Sequence, residues 1–418
     1  MKIKNVYARE ILDSKGHPTV EVEVALEDGI TALGQVPSGA STGITEAVEL
    51  RDGDIKRYQG KGVLKAIKNV KTIIKDLLVG KDAYDQDKID HLMIKADGTE
   101  NKAKLGGNAI IAVSMAVCRA AARSQDKPLY QYFGELQGNK NFVLPQPMIL
   151  VLEGGKHGNW STDIQEYFVI PKKEKFATFS ERLRVGVEIF HCLEKILDAK
   201  GYATGVGYEG AFMPKEIKSN EEAFQLMMEA TEKAGYKLPD QVVLGLDAAS
   251  SEFFEEGFYV LKSEGGTKLT SRQWTEKTIS WTKKYPIWSL EDMHAEEDWD
   301  EWVYFTSKVG NKIQVVGDDL LTTNVKRIKK AIDKKAVNSV LIKLNQIGTV
   351  TETIEAIKLS DKAGFSTVVS HRGGETNDDM IADLVVGTTS WQSKFGGPDR
   401  GERVAKYNRL LRIEEKLG

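Results

Sequence analysis

Apolar runs in the second half of the chain end in charged or polar side chains at nearly constant intervals. Val243–Asp247, Ile287–Glu291 and Ile313–Asp318 each finish on a carboxylate, while the run from Val340 to Leu344 carries Lys343 inside it. Asp318 follows Glu291 by 27 residues, Lys343 follows Asp318 by 25, and Ser370, ending a further run, follows Lys343 by 27. One strand, one helix and two short loops fill such an interval, and successive units of this kind close into a parallel barrel whose strand ends meet at one mouth. The period therefore predicts that Asp247, Glu291, Asp318, Lys343 and Arg372 converge. Three carboxylates without local basic partners suit a hard cation such as Mg²⁺. Burial opposes the ammonium form of a lysine in an apolar strand, and a lysine beside a metal site can act as a proton-abstracting base.

A chain of 418 residues has room for such a barrel, of about 250 residues or more, and a second unit. Hydrophobic residues at 41% and charged residues at 28% fit a soluble globular protein. A net charge of −3 and dispersed basic residues argue against a nucleic-acid partner. The two cysteines, Cys118 and Cys192, lie in apolar helical stretches and read as reduced, buried thiols. The N-terminus lacks an apolar signal core, and no run approaches the roughly 18 apolar residues of a membrane span, so the expected residence is cytoplasmic.

Thr19–Ala25 alternates with period two, and Glu27-Asp28-Gly29 is a hairpin turn signal, with a second strand to about Val36. Pro37–Gly43 is a small-residue loop suited to a mobile lid. Residues 62–78, 85–96 and 105–123 read as helices, and Lys127-Pro128 as the end of an α+β unit. The expected domains are 1–140, an α+β unit with the lid, and 141–418, the barrel. Met148–Leu152 and Gln165–Pro171 are adjacent strands and predict an antiparallel start to the barrel, followed by a long helix over Phe179–Lys200 in which His191 is structural. Gly205-Val-Gly-Tyr-Glu-Gly210 matches a dinucleotide fingerprint, but no buried strand precedes it, so it reads instead as a tight loop presenting Glu209.

Several runs together resemble the enolase family over essentially the whole chain. They include Ala8-Arg-Glu-Ile-Leu-Asp-Ser-Lys-Gly-His-Pro-Thr-Val-Glu-Val, Val36–Gly43, Gly245-Leu-Asp-Ala-Ala-Ser-Ser-Glu-Phe-Phe and Gly317-Asp-Asp-Leu. Leu341-Ile-Lys-Leu-Asn-Gln-Ile-Gly-Thr, Ser370-His-Arg-Gly-Gly-Glu-Thr and Ala405–Glu415 complete the set. The resemblance implies an N-terminal α+β capping domain and an enolase-type (β/α)8 barrel of the α/β class with antiparallel first strands. It implies a lyase that reversibly dehydrates 2-phospho-D-glycerate to phosphoenolpyruvate with two Mg²⁺. Asp247, Glu291 and Asp318 would hold one ion, and Ser41 in the lid would reach the other. Lys343 would remove the α-proton, and Glu209 with Glu166 would protonate the leaving hydroxyl. His157, Gln165, His371, Arg372, Lys394 and Ser41 would line the substrate site. A homodimer or homo-octamer, without membrane or nucleic-acid partners, is the implied assembly.

The sequence departs from the family pattern in places that cluster. Glu153-Gly-Gly-Lys-His157-Gly-Asn-Trp160 stands where Asn-Gly-Gly-Ser/Lys-His-Ala-Gly-Asn is usual. Tyr208 replaces an aspartate before Glu209, Met293-His294 replaces Pro-Phe, and Gly373 replaces a serine. Trp160 is expected to crowd the substrate site, and Tyr208 to lower the proton affinity of Glu209 by removing a like charge. Two alternatives follow: a paralogue acting on a related phospho- or phosphono-carboxylate, and a non-catalytic protein that reuses the fold for binding.

Overall fold

A computed structural model describes residues 1–39 and 43–418. The chain opens with an antiparallel sheet of β1 (Ile3–Leu12), β2 (Pro18–Leu26) and β3 (Thr31–Gln35). Alternation along β2 drives Val20, Val22, Val24 and Leu26 into the core, and the predicted turn closes where Leu26 donates to the carbonyl of Ile30 at 2.9 Å. The sheet packs on a helix over Gly107–Ser124. Contact is close because Gly34 has no side chain: a Cβ there would lie 2.4 Å from the carbonyl oxygen of Ala112. A π-helical turn, Val70–Ile74, joins the short helices Leu64–Asn69 and Lys75–Leu78 within the segment expected to be one helix. Pro128 is the N-cap of another helix, Leu129–Gln137, because a proline that cannot continue one helix is well suited to begin the next.

The barrel strands are β4 (Gln146–Glu153), β5 (Glu166–Pro171), β6 (Val242–Asp247), then, after the small sheet β7 (Phe254–Glu255), β8 (Phe258–Leu261), β9 (Thr267–Thr270), the strands β10 (Ile287–Glu291), β11 (Gln314–Gly317), β12 (Ser339–Ile342), β13 (Ser366–Ser370) and β14 (Gln392–Lys394). They close in the order β10-β11-β12-β13-β14-β4-β5-β6. β5 runs antiparallel to both β4 and β6, and every other neighbouring pair is parallel. This is the α/β architecture expected, with a reversed second strand. Met148, Leu150, Phe168, Ile170, Val316, Leu341 and Val368 fill the interior, so the barrel is a packed core open only at its mouth.

The capping unit docks on that mouth. Arg119 pairs with Asp378 at 2.6 Å, and Asn345 donates to the carbonyl of Pro37 at 3.1 Å. Both cysteines are free, but only Cys118 is buried; Cys192 is half-buried, a correction to the reading of two buried thiols. It sits at the edge of the buried stripe of the helix Phe179–Ala199. Among the described residues no helix is long and apolar enough to cross a membrane.

Candidate functional site

Strand register places the charged groups. In parallel strands the carboxyl ends share one mouth, so Asp247 and Glu291 pair side by side, as do Ser370 and Lys394. Asp318 and Lys343 directly follow β11 and β12. Because β5 is reversed, its first residue, Glu166, reaches the same mouth and pairs with Asp247 on one side and Glu153 on the other. One cavity is lined by His157, Gln165, Glu166, Glu209, Asp247, Asp318, Lys343, His371, Arg372 and Lys394, together with Ser370 and Gly373. Glu291 lies beneath its wall, fully buried. Thus ten expected site residues line one cavity. Ser41 lies outside the described residues.

Asp247, Glu291 and Asp318 each offer an oxygen within 4.8 Å of the others. The Lys394 ammonium reaches Asp247 at 2.9 Å, Glu291 at 2.7 Å and Glu166 at 3.0 Å, and Glu291 Oε2 is buried without a hydrogen-bond partner among the described residues. Burial by itself would discharge the Lys394 ammonium, but Asp247, Glu166 and Glu291 hold its pKa well above the usual lysine value. Hard oxygen donors, a surplus of negative charge and an orphaned oxygen fit a divalent cation. A second acidic group, Asp292, Asp318 and Asp319, shares Asp318. Asp292 accepts the backbone N–H groups of Asp318 and Asp319 at 2.9 and 2.8 Å, and so braces this turn.

Lys343 Nζ lies 2.5 Å from Asp318 Oδ2. Burial pulls its pKa down, yet the carboxylates around it, Asp318 first and then Asp319, together hold it above the ordinary value. Lys343 is therefore an ammonium while its partner is only Asp318. Arg372 is held in a fork by Glu46, with both terminal nitrogens 3.0 Å from Oε2.

Glu209 faces two imidazoles, with His157 Nδ1 3.6 Å from its Oε1 and His371 Nε2 3.5 Å from its Oε2. Arg403 NH1 lies 2.6 Å from His371 Nδ1. A guanidinium only donates, so Nδ1 accepts and the neutral ring carries its proton on Nε2, facing Glu209. Burial favours a protonated Glu209, and positive charge on His371 and His157 opposes it strongly enough to bring its pKa well below the usual range. Burial, however, drives His371 itself down to about 3 and lowers His157. Glu166 is raised well above the carboxylate range by burial and then by the charge of Glu209.

The departures fall in different places. Trp160 does not line the cavity: it lies under Lys262, whose Nζ is 4.0 Å from the ring centroid, a correction to its expected place in the substrate site. Trp160 has a positive φ of 60° and is half-buried against the hydrophobic core. Tyr208 is exposed beneath Lys15, with 4.9 Å from ammonium to ring. Glu153 brings a buried carboxyl under the same loop, where its Oε1 accepts the backbone N–H of Glu209 at 3.0 Å. His294 packs among Tyr259, Trp302 and Phe305, away from the cavity. Gly373 is the one simple replacement on the cavity wall.

Sequence reasoning passed over Arg403, Glu46 and the bracing role of Asp292. Arg403 is fully buried and donates to His371 and to the carbonyls of Arg372, Tyr208 and Gly373. In the sequence it is one more basic residue on an amphipathic helix, Gly401–Leu417. Asp292 was detectable as the carboxylate directly after Glu291.

Fold and site together define a capped barrel enzyme whose working groups stand on the strand ends at one mouth. The family described as Enolase, C-terminal TIM barrel domain, matches residues 141–418, and Enolase, N-terminal domain, matches residues 3–133. The chain belongs to the enolase family.

Proposed function

We propose that the protein reversibly dehydrates 2-phospho-D-glycerate to phosphoenolpyruvate through an enediolate, using two Mg²⁺. The observation that carries this reading is the cavity shared by the buried lysine Lys343 and the buried carboxyls of Glu209 and Glu166, beside a carboxylate triad. Lys343, once neutral, takes the α-proton; the developing charge on the substrate carboxylate is met by the Lys394 ammonium. Divalent ions held by Asp247, Glu291 and Asp318, and at a second site by Ser41, would supply the positive field that an enediolate requires. Glu209, with Glu166, protonates the leaving hydroxyl, and the Nε2–H of His371 keeps that carboxyl in place. Arg372 exchanges the fork of Glu46 for that of a phosphate, which has matching geometry. His157 and Gln165 complete the substrate walls.

The test is phosphoenolpyruvate formation by the purified protein with Mg²⁺, then in excess chelator, then after Mg²⁺ is restored. Turnover should vanish and return; turnover that persists in chelator sinks the reading. A second reading, a paralogue acting on another phospho- or phosphono-carboxylate, is favoured by Gly373, which offers no hydroxyl to a phosphorus-bearing group at the cavity wall. Higher kcat/KM on a phosphonate analogue than on 2-phosphoglycerate would select it. A purely binding role is disfavoured because every expected chemical group among the described residues is present. Cytoplasmic residence and a homodimer or homo-octamer belong to the same proposal.

A further inference from the structure

Glu153 has no part in the scheme above, yet it connects the two carboxyls that do. It closes β4 and lies across from Glu166 in the register. Its Oε1 accepts the backbone N–H of Glu209 and of Ala211, each at 3.0 Å. Its own N–H donates to the carbonyl of Phe212 at 2.8 Å. The loop around Glu209 is thus clamped from both backbone and side chain to the strand that neighbours Glu166. Gly207 makes the clamp possible, since a Cβ there would stand 2.3 Å from Glu153 Oε2.

An asparagine, usual at this position in the family, also offers one oxygen to those two N–H groups. Hydrogen bonding alone therefore does not call for glutamate. What the glutamate adds is a group that binds a proton. Its Oε2 is buried and has no hydrogen-bond partner among the described residues. A bare anionic oxygen in such a place is costly, and a protonated one far less so. The groups facing it are Glu209 from the clamped loop, Arg403 from the C-terminal helix and Glu166 from β5. Burial first, and then the charge of Glu209, push the Glu153 carboxyl up to about 8.

We propose that Glu153 is the positioning residue of the general acid: it fixes the loop that bears Glu209 and competes with Glu209 for a proton. The inference rests on the reading of Glu209 as that acid.

The experiment combines kinetics with an infrared titration of buried carboxyls in the full-length protein. The difference between parent and Glu153→Gln should contain one protonated-carboxyl band that titrates in mildly alkaline solution. In Glu209→Gln the Glu153 band should titrate at lower pH, because a facing negative charge is gone. With 2-phosphoglycerate, Glu153→Ala should lose about tenfold or more in elimination while α-proton exchange with solvent stays near the parent rate. Glu153→Gln, which keeps an acceptor, should rescue elimination but lack the alkaline inflection. Equal loss of exchange and elimination in Glu153→Ala, or a Glu153 band indifferent to Glu209→Gln, would overturn the assignment. A parent protein inert in both reactions refutes the functional reading instead, and the infrared coupling then decides the Glu153 assignment by itself.

Discussion

Arg403 offers the sharpest test of how the site is held. Two terminal nitrogens of one guanidinium serve His371 Nδ1 at 2.6 Å and three backbone carbonyls, those of Arg372 at 2.6 Å and of Tyr208 and Gly373 at 2.9 Å. All are acceptors, and the side chain is fully buried. Arg403→Lys keeps the charge but concentrates its donors on one atom, which does not span the fork, so at least one acceptor is left bare. A buried acceptor without a donor costs about 1–3 kcal/mol. At roughly 2–4 °C per kcal/mol for a domain of this size, the Lys variant should melt about 2–12 °C below the parent. Arg403→Met strips all the acceptors, a loss on the order of 4–12 kcal/mol, which overlaps the whole stability of a typical protein. Calorimetry of the two variants measures the first effect. The second is chemical: with Nδ1 no longer held as an acceptor, His371 can carry its proton on either nitrogen. Elimination should therefore fall more steeply than α-proton exchange in Arg403→Lys. A Lys variant that melts within 1 °C of the parent and keeps its activity would show that this network neither stabilises the fold nor fixes the tautomer.

Lys343→Ala should abolish both α-proton exchange and turnover, whereas Glu209→Gln should keep exchange and block elimination; exchange at the parent rate in Lys343→Ala would place the base elsewhere. Gly373→Ser should lower KM for 2-phosphoglycerate by about one to two decades, since a hydrogen bond to a charged group is worth roughly 1.5–3 kcal/mol, and an unchanged KM would make the glycine neutral. His294 is driven by burial down to about 3, and both its ring nitrogens are unpartnered among the described residues. The unfolded chain binds this proton from about pH 6.5 and the folded chain does not, so the contribution is present above 6.5 and is lost as pH falls toward 3, at up to about 1.4 kcal/mol per pH unit. His294→Phe should flatten the acid limb of a denaturation-versus-pH curve, and an unaltered limb would exclude His294 as its source.

The barrel and most of its mouth were legible in the sequence because a covalent period carries them: the distance from Glu291 to Asp318 to Lys343 is set by a strand and a helix, whatever else the chain does. The antiparallel start was legible because two short apolar strands stand next to each other with no helical period between them. The small sheet β7–β9 was missed because strands of two and four residues leave no period to read. Trp160 and His294 were misjudged or left open, because sequence distance from His157 and Glu291 says nothing about which way a loop turns. Arg403 and Glu46 act across intervals that only the closed barrel brings together, 31 residues from Arg372 in one case and 326 in the other.

The reversal of β5 has a further consequence. In an all-parallel barrel every connection made at the mouth must return through a helix, and its length is tied to that helix's packing. Between Glu153 and Glu166 no helix intervenes. The connection is tied to the outer layer at its far end, where Asn220, opening the helix Asn220–Lys233, accepts the N–H groups of Asp163 and Ile164 at 2.9 and 3.0 Å. Glu153 precedes it, and His157, on the cavity wall, and the half-buried Trp160 lie on it. Variation at little cost to the rest of the fold is therefore confined to its less buried positions, Lys156, Asn159 and Trp160, and a library randomised there should yield more folded members than one of equal size over the buried residues 161–164.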